Sequence, residues 1–304
     1  VTAIHSIDHF ALAVPDLNQA RTFFSTFGLD IKENTSPEGG LNVFAADGHR
    51  WARLVPGDRK HLDYLTFNAY QEDIFRLHSQ VVEAGATQVS AISQGDEPSF
   101  WFRDPDGNRI QVRVGPKTTL DEKPTRTSES TPADKRGACT RAEAVTVKPT
   151  RLSHVLLFTP DVLGSVAFYE RALGLRLSDK SRDIIAFMHA PHGCDHHLVA
   201  FAKSSARGWH HSSWDVPDVN AVGAGAAQMA AAGYVKGWGT GRHVLGSNYF
   251  HYVEDPWGSF CEFSADIDYV SAGKPWPAGD FPPEDSLYLW GPGVPENFIF
   301  NTEA

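Results

Sequence analysis

Cysteine is scarce and unpatterned. Cys139, Cys194 and Cys261 are odd in number and share no spacing, which argues against a disulfide framework and for a reducing compartment, the cytoplasm. Basic residues are outnumbered, 27 Lys and Arg against 37 Asp and Glu, and the formal net charge of -10 argues against nucleic acid or an anionic membrane as partner. No apolar run approaches the roughly 20 residues that a membrane span requires, and no charged-then-apolar leader stands before Ile4. Lys117 to Lys148 has hardly an aliphatic residue before Val145. Rich in Thr, Ser, Lys, Glu and Pro, it buries little and reads as a long, partly mobile surface linker.

What is there is a duplication. The 304 residues exceed one typical core and suit two domains of about 150 residues each. Ile7 to Asp16, carrying His9 and Pro15-Asp16, returns as Leu152 to Asp161, carrying His154 and Pro160-Asp161. Each copy runs into a helix, Leu17 to Leu29 and Val162 to Leu175, closed by Gly28-Leu29 and Gly174-Leu175. The aromatic pairs Phe23-Phe24 and Phe168-Tyr169 take the positions that face a sheet. A weaker second copy follows in each half. In the first it comprises a strand Leu62 to Ala69, a helix Glu72 to Ala84, and strands Thr87 to Ile92, Ser99 to Arg103 and Asn108 to Val114. In the second it comprises a strand His210 to Val216, a helix Val219 to Ala232, and strands around Val235, Tyr249 and Cys261. The expected fold is therefore α+β, two domains each made of a pair of βαβββ modules. Its expected divisions are a first domain 1–115, a linker 116–150, a second domain 151–265 and a tail 266–304. The tail holds Trp276, Phe281, Leu287, Tyr288, Leu289 and Trp290, too aromatic to be disordered. It is expected to cover the second domain or a neighbouring subunit.

Asp255-Pro256-Trp257-Gly258 is a turn signal, so Asn248 to Glu254 and Ser259 to Ser264 read as a hairpin with Tyr252 on one strand and Glu262 on the next. Cys261 points to the opposite face from Glu262. His154 and His211 each stand near the start of a strand, and two imidazoles with one carboxylate make a facial triad for a divalent metal. Aligning the Asp-Pro-x-Gly turns at Asp104 and Asp255 sets Gln111 opposite Glu262, and aligning Leu62-Asp63-Tyr64 with His210 and its neighbours sets Tyr64 opposite His211, so of the triad only His9 survives in the first domain. That domain reads as scaffold, and the second as the site. His196, His210 and His251 read as neighbours that turn away or only line the pocket. Leu156 and Phe250 suggest an apolar wall, and Arg242 and Lys236 a possible carboxylate contact at the same entrance.

The string Gly-x-His-x8-Tyr-x2-Asp-Pro-x-Gly-x3-Glu, from Gly241 to Glu262, resembles the signature of type I extradiol ring-cleavage dioxygenases of the vicinal oxygen chelate superfamily. The one departure is His251, where that family usually has an aliphatic or aromatic residue. Asp195-His196-His197-Leu198-Val199-Ala200 resembles the family's His-His pair before an apolar strand, whose second member is the acid–base residue. The resemblance implies the vicinal oxygen chelate fold and Fe(II), with Mn(II) as the alternative ion, on His154, His211 and Glu262. It implies His197 as general base and acid, and His243 and Tyr252 as hydrogen-bonding partners of the substrate oxygens. It further implies a catecholic substrate and dioxygen, aromatic-compound catabolism, and a homo-oligomer. Two alternatives share the expected fold: a metal-dependent glyoxalase or epimerase, which has no use for His243 and Tyr252, and a non-catalytic binding protein, which needs no triad.

Overall fold

The repeated Pro-Asp turns out to be a helix start. In a computed structural model that describes residues 1–37, 39–95, 97–125 and 131–304, strand β1 (Ser6–Val14) leads through Asp16 into helix α1 (Leu17–Thr26). The Asp16 side chain accepts from the Asn18 and Gln19 amides, and Asp161 likewise accepts from Gly164 at the start of the equivalent helix. The first half continues with β2 (Asp30–Glu33), β3 (Leu41–Phe44), β4 (Arg50–Pro56), β5 (His61–Ala69), α2 (Ile74–Glu83), β6 (Ser99–Arg103) and β7 (Arg109–Val114). The second half comprises β8 (Arg151–Thr159), α3 (Val162–Leu173), β9 (Arg176–Ser181), β10 (Ile185–His189), β11 (Cys194–Asp195), β12 (Val199–Lys203), β13 (Gly208–Asp215) and α4 (Val219–Ala231). It ends with β14 (Gly237–Arg242), β15 (Tyr249–Glu254), β16 (Phe260–Ala265), β17 (Tyr269–Val270) and β18 (Gly279–Asp280).

Both halves build the same sheet. The first has the order β2-β3-β4-β1-β5-β7-β6, and the second has β9-β10-β12-β8-β13-β16-β15 in the equivalent places, with β14 and β18 added at its edges. Two expected strands are displaced. Thr87 to Ile92 forms only a bridge between Thr87 and Arg103, and the strand placed around Val235 begins at Gly237, leaving Val235 exposed. Both follow Gly-closed helices, and the chain needs several residues there to return to the sheet edge.

The helices lie where the halves meet. One buried apolar cluster contains side chains of both, with Phe27 stacked on Phe263 at 3.8 Å, Phe10 against Trp209 at 4.6 Å, and Tyr169 donating to Asp104 at 3.0 Å. Phe23, Phe24, Phe168 and Tyr169 are all fully buried. Gly174 closes α3 at φ +69, and a Cβ there would meet Ala3 at 2.6 Å.

Of the linker, 126–130 lie outside the described residues. On either side, Thr118 donates to the Ile7 carbonyl at 2.6 Å and Val147 rests on the core. The tail lies against the second half: the Leu289 amide donates to the Arg242 carbonyl, the Arg242 amide donates to the Trp290 carbonyl, and Phe298 is buried with Trp238, Phe250, Tyr252 and Phe260. At its end Glu303 pairs with the buried Lys60 of the first half at 3.3 Å. Among the described residues no helix is long and apolar enough to cross a membrane.

Candidate metal centre

Three neighbouring strands, β8, β13 and β16, supply the donors. In their register Ser213 lies opposite both His154 and Glu262, so those two flank one rung, while His211 projects from the same face two residues away. Glu262 Oε2 lies 3.3 Å from His154 Nε2 and 3.7 Å from His211 Nε2, and the three donor atoms fall within 4.8 Å of one another. His211 Nε2 and Glu262 Oε2 are buried without a hydrogen-bond partner. Buried polar atoms are normally paired, so two that converge unpaired beside a third donor fit a divalent cation.

The partners of each group fix what it offers. Ser153 Oγ donates to Asp195 at 2.7 Å and so accepts from His154 Nδ1 at 3.2 Å, which leaves His154 Nε2 with a lone pair. Asp195 is itself held by Arg151 through contacts of 2.8 and 3.1 Å. His210 Nε2 donates to the Phe298 carbonyl at 2.6 Å, so its Nδ1 accepts from His211 Nδ1 at 2.6 Å, and His211 Nε2 is likewise free. Asn248 donates to Glu262 Oε1 at 3.0 Å and to Ser264 at 2.9 Å, leaving Oε2 for the centre.

The hairpin turn is closed by Asp255, whose side chain accepts from the Trp257 and Ser259 amides at 2.8 and 3.0 Å. It sets Tyr252 directly opposite Glu262. His243 donates from Nδ1 to the Leu287 carbonyl at 2.7 Å and meets the Tyr252 hydroxyl at 3.0 Å through Nε2. Burial, reinforced by the Glu262 charge, pushes the Tyr252 phenol well above its usual range, so it stays protonated. For Glu262 burial works upward, but the imidazoles of His154, His243 and His211 that face it prevail and hold the carboxyl well below the carboxylate range. His197, whose ring centre lies 3.9 Å from that of His154, is pushed well down by burial and by the neighbouring imidazoles.

These groups face one cavity of about 250 Å³, lined at its base by His154, His197, His211, His243 and Tyr252. Beyond them the wall is apolar. Leu156, Ala200 and Phe187 form one rung across β8, β12 and β10, and Phe158, Ala202 and Ile185 form the next rung outward. Leu156, Phe187 and Ala200 cluster with Leu245, apart from the main core.

Several expected neighbours lie elsewhere. Phe250 stacks behind His243 at 4.0 Å, Arg242 meets Tyr249 at 3.1 Å and Ser247, and Lys236 is exposed beside Glu254; none lines the cavity. A β-bulge lies between Gly239 and Gly241, and beyond it Arg242 stands opposite Tyr249 of β15. His251 sits on the other face of β15 and also lines no part of the cavity. His196 is out of the cavity as expected, but it bonds His197 Nδ1 at 3.0 Å. Asn248 is the functional neighbour that sequence reasoning missed; alternation from Tyr252 through Phe250 would have placed it on the inner face. In the first half Tyr64 and Gln111 hold the register positions of His211 and Glu262. There His9 is satisfied by Asp8 at 2.6 Å and Tyr64 at 3.2 Å, and Gln111 accepts from Thr66 at 3.1 Å.

A family model described as the Glyoxalase/Bleomycin resistance protein/Dioxygenase superfamily matches residues 6–112 and 151–263. Metapyrocatechase 2 of Cupriavidus necator is 59% identical over 302 residues, 99% of this chain and 93% of that one. Among solved structures, the Mn(II)-bound glyoxalase from Novosphingobium aromaticivorans aligns with TM-score 0.76 at 24% identity, over 98% of this chain and 94% of that one. A mutant of homoprotocatechuate 2,3-dioxygenase from Brevibacterium fuscum aligns with TM-score 0.77 at 19% identity, over 98% and 81%. These two structures share a fold while differing in chemistry, so they speak to the fold alone. With the family model across both halves and the full-length relative, the chain belongs to the Glyoxalase/Bleomycin resistance protein/Dioxygenase superfamily and, within it, to the type I extradiol ring-cleavage dioxygenases.

Proposed function

We propose that this enzyme opens the aromatic ring of a catechol beside its vicinal diol, incorporating both atoms of dioxygen, at the centre built from His154, His211 and Glu262. The observation that carries this reading is the rung that sets Tyr252 opposite Glu262, whose Oε2 is unpartnered and faces two imidazoles. A divalent metal held there, Fe(II) in this reading with Mn(II) as the alternative, supplies Lewis acidity toward the diol and open positions for diol and dioxygen.

The chain's own groups do the rest. Glu262 contributes one negative charge and, with Asn248 bonded to Oε1, presents Oε2 to the metal. His197, which burial keeps neutral, takes the proton from a catechol hydroxyl and later returns it to oxygen. Tyr252, which stays protonated, and His243, paired with it at 3.0 Å, orient the diol through hydrogen bonds. The apolar rungs exclude water and receive the remainder of the ring. Among the described residues lining the cavity only Lys203 carries a fixed charge, and Asp183 pairs with it at 2.8 Å. The substrate is accordingly a catechol that is unsubstituted or bears a neutral apolar group, its substituent lying along β8, β12 and β10.

The second domain, 151–265, carries the reaction, and the first, 1–115, supports it. Three free cysteines, two of them buried, suit a cytoplasmic enzyme. Exposed Phe75 and Val82 on α2, with Ile299 and Phe300 on the tail, suit a homo-oligomer. Anaerobic loading with ferrous ion, addition of catechol and admission of air test the reading. A yellow ring-opened product supports it, and metal binding with no catechol consumption overturns it.

A further inference from the structure

Behind His197, outside the cavity, stands a chain of buried polar groups that the reaction as described leaves without a role. His196 is fully buried; its Nε2 lies 2.8 Å from Asp179 Oδ2 and its Nδ1 lies 3.0 Å from His197 Nδ1. Asp179 Oδ1 accepts from the Gly279 amide at 2.7 Å, and Oδ2 from Trp276 Nε1 at 3.4 Å. A carboxylate ringed by N–H donors can only accept, so His196 is protonated at Nε2 and presents an acceptor at Nδ1. His197 must then donate from Nδ1. The nitrogen left with a lone pair is Nε2, on the edge of the ring away from His196, in a side chain that lines the cavity.

We propose that Asp179 and His196 are positioning residues that lock His197 into the Nδ1–H tautomer with Nε2 as its only basic atom. The proposal rests on His197 being the acid–base residue of the site. Its physical content is a directional chain of hydrogen bonds, from His197 through His196 to Asp179, whose polarity is set at the far end. When Nε2 takes a proton, the ring keeps its bond to His196 and its orientation. The Asp179 charge, one imidazole away, then favours the imidazolium.

The far end can be reversed by one atom. In Asp179→Asn the Gly279 amide, at 2.7 Å a much closer donor than Trp276 Nε1 at 3.4 Å, holds the side-chain oxygen at the Oδ1 position, which gives up the long Trp276 contact and turns the NH2 group toward His196 Nε2. His196 then accepts at Nε2 and donates from Nδ1, and His197 is left protonated at Nε2 and without a base toward the cavity. Nitrogen-15 NMR of histidine-labelled, metal-free protein reads the tautomers directly. The expected result is Nδ1–H at His197 in the unaltered protein and Nε2–H in Asp179→Asn. On iron loading, the variant should keep metal stoichiometry and catechol KM while kcat falls on the order of 10² to 10⁴. Nε2–H at His197 in the unaltered protein, or an unchanged tautomer in Asp179→Asn, would overturn the proposal. Should Asp179→Asn fail to fold, His196→Phe removes the acceptor without touching Gly279; mixed tautomers at His197 support the lock, and pure Nδ1–H overturns it. Full kcat in His197→Phe is a separate result. It removes the acid–base reading itself, whereas the tautomer measurement stands on its own.

Discussion

At the scale of single residues, the proposed centre divides into three groups placed to hold a metal and three placed to act on a substrate. Glu262 is the only anion among the three donors, and its Oε2 has no other partner. Glu262→Gln should therefore abolish tight iron binding, and the unaltered chain should bind one equivalent, since Tyr64 and Gln111 replace two donors in the first half. Metal analysis giving two equivalents, or unchanged iron in the variant, contradicts this. His197→Phe should keep its iron and still bind catechol, yet turn over about 10² to 10⁴ more slowly, which stopped-flow absorbance after anaerobic mixing would resolve. Glu262 could be singled out in the sequence because one string fixes a turn, a phenol and a carboxylate, and His154 and His211 because each stands near the start of an expected strand. Asn248 was not singled out, although alternation from Tyr252 places it on the inner face, because a lone amide has no spacing signature that marks it as a partner of Glu262. His196 was legible as a residue turned from the cavity, but not as a bond to His197, which depends on Asp179 arriving from another strand.

At the scale of elements, the alternation of β8 lays His154, Leu156 and Phe158 in a line leading outward from the centre. On β12 the facing positions are Ala200 and Ala202, small enough to leave the channel open. Ala202→Phe should fill the outer rung and lower kcat/KM for alkyl- or aryl-substituted catechols by roughly ten-fold or more, with little change for unsubstituted catechol. Equal losses on all three substrates would place the substituent elsewhere. Helices and long strands were legible from periodicity, and Ser99–Arg103 falls where the alternation puts it. Thr87 to Ile92 was misread because its apolar residues, Val89 and Ile92, pack on the core from irregular backbone. Alternation registers burial, and burial does not require a strand. The apolar wall from Leu245 and the tail was illegible, since it depends on chain returning from far away.

At the scale of the molecule, buried titratable groups set the response to acid. Burial lowers His5 and His189 from 6.5 to about 4, each helped by a neighbouring histidine, His192 and His196 respectively. Burial alone does the same to His251. The unfolded chain thus binds these protons first, so their stabilisation is present above 6.5 and is lost as pH falls toward about 4. Asp104, raised by burial to about 6, works the other way over part of that window. Burial raises Asp106 and Asp255 as well, but the lowered imidazoles, with His9, His192 and His210 among them, are more numerous, and the urea midpoint of the metal-free protein should be lower near about pH 4 than near about pH 7; an equal or higher midpoint in acid contradicts this. Lys60 ties the halves together. It reaches the Trp209 carbonyl, Ser259 and Glu303, and Lys60→Met should cost on the order of 3–5 kcal/mol by stranding a buried carboxylate, read as a lower denaturation midpoint.

The stack of Phe27 on Phe263 reaches further than stability. Phe263 follows Glu262 in the chain, so an aromatic ring from the half without donors forms the back of the strand that carries the decisive carboxylate. Shedding the silent copy is therefore closed to this protein. A gene trimmed to its second half would show solvent a bare phenyl face one residue from its only anionic ligand. The first copy serves as a mould: its residues at the donor positions, Tyr64 and Gln111, differ in chemistry, while its shape backs the second.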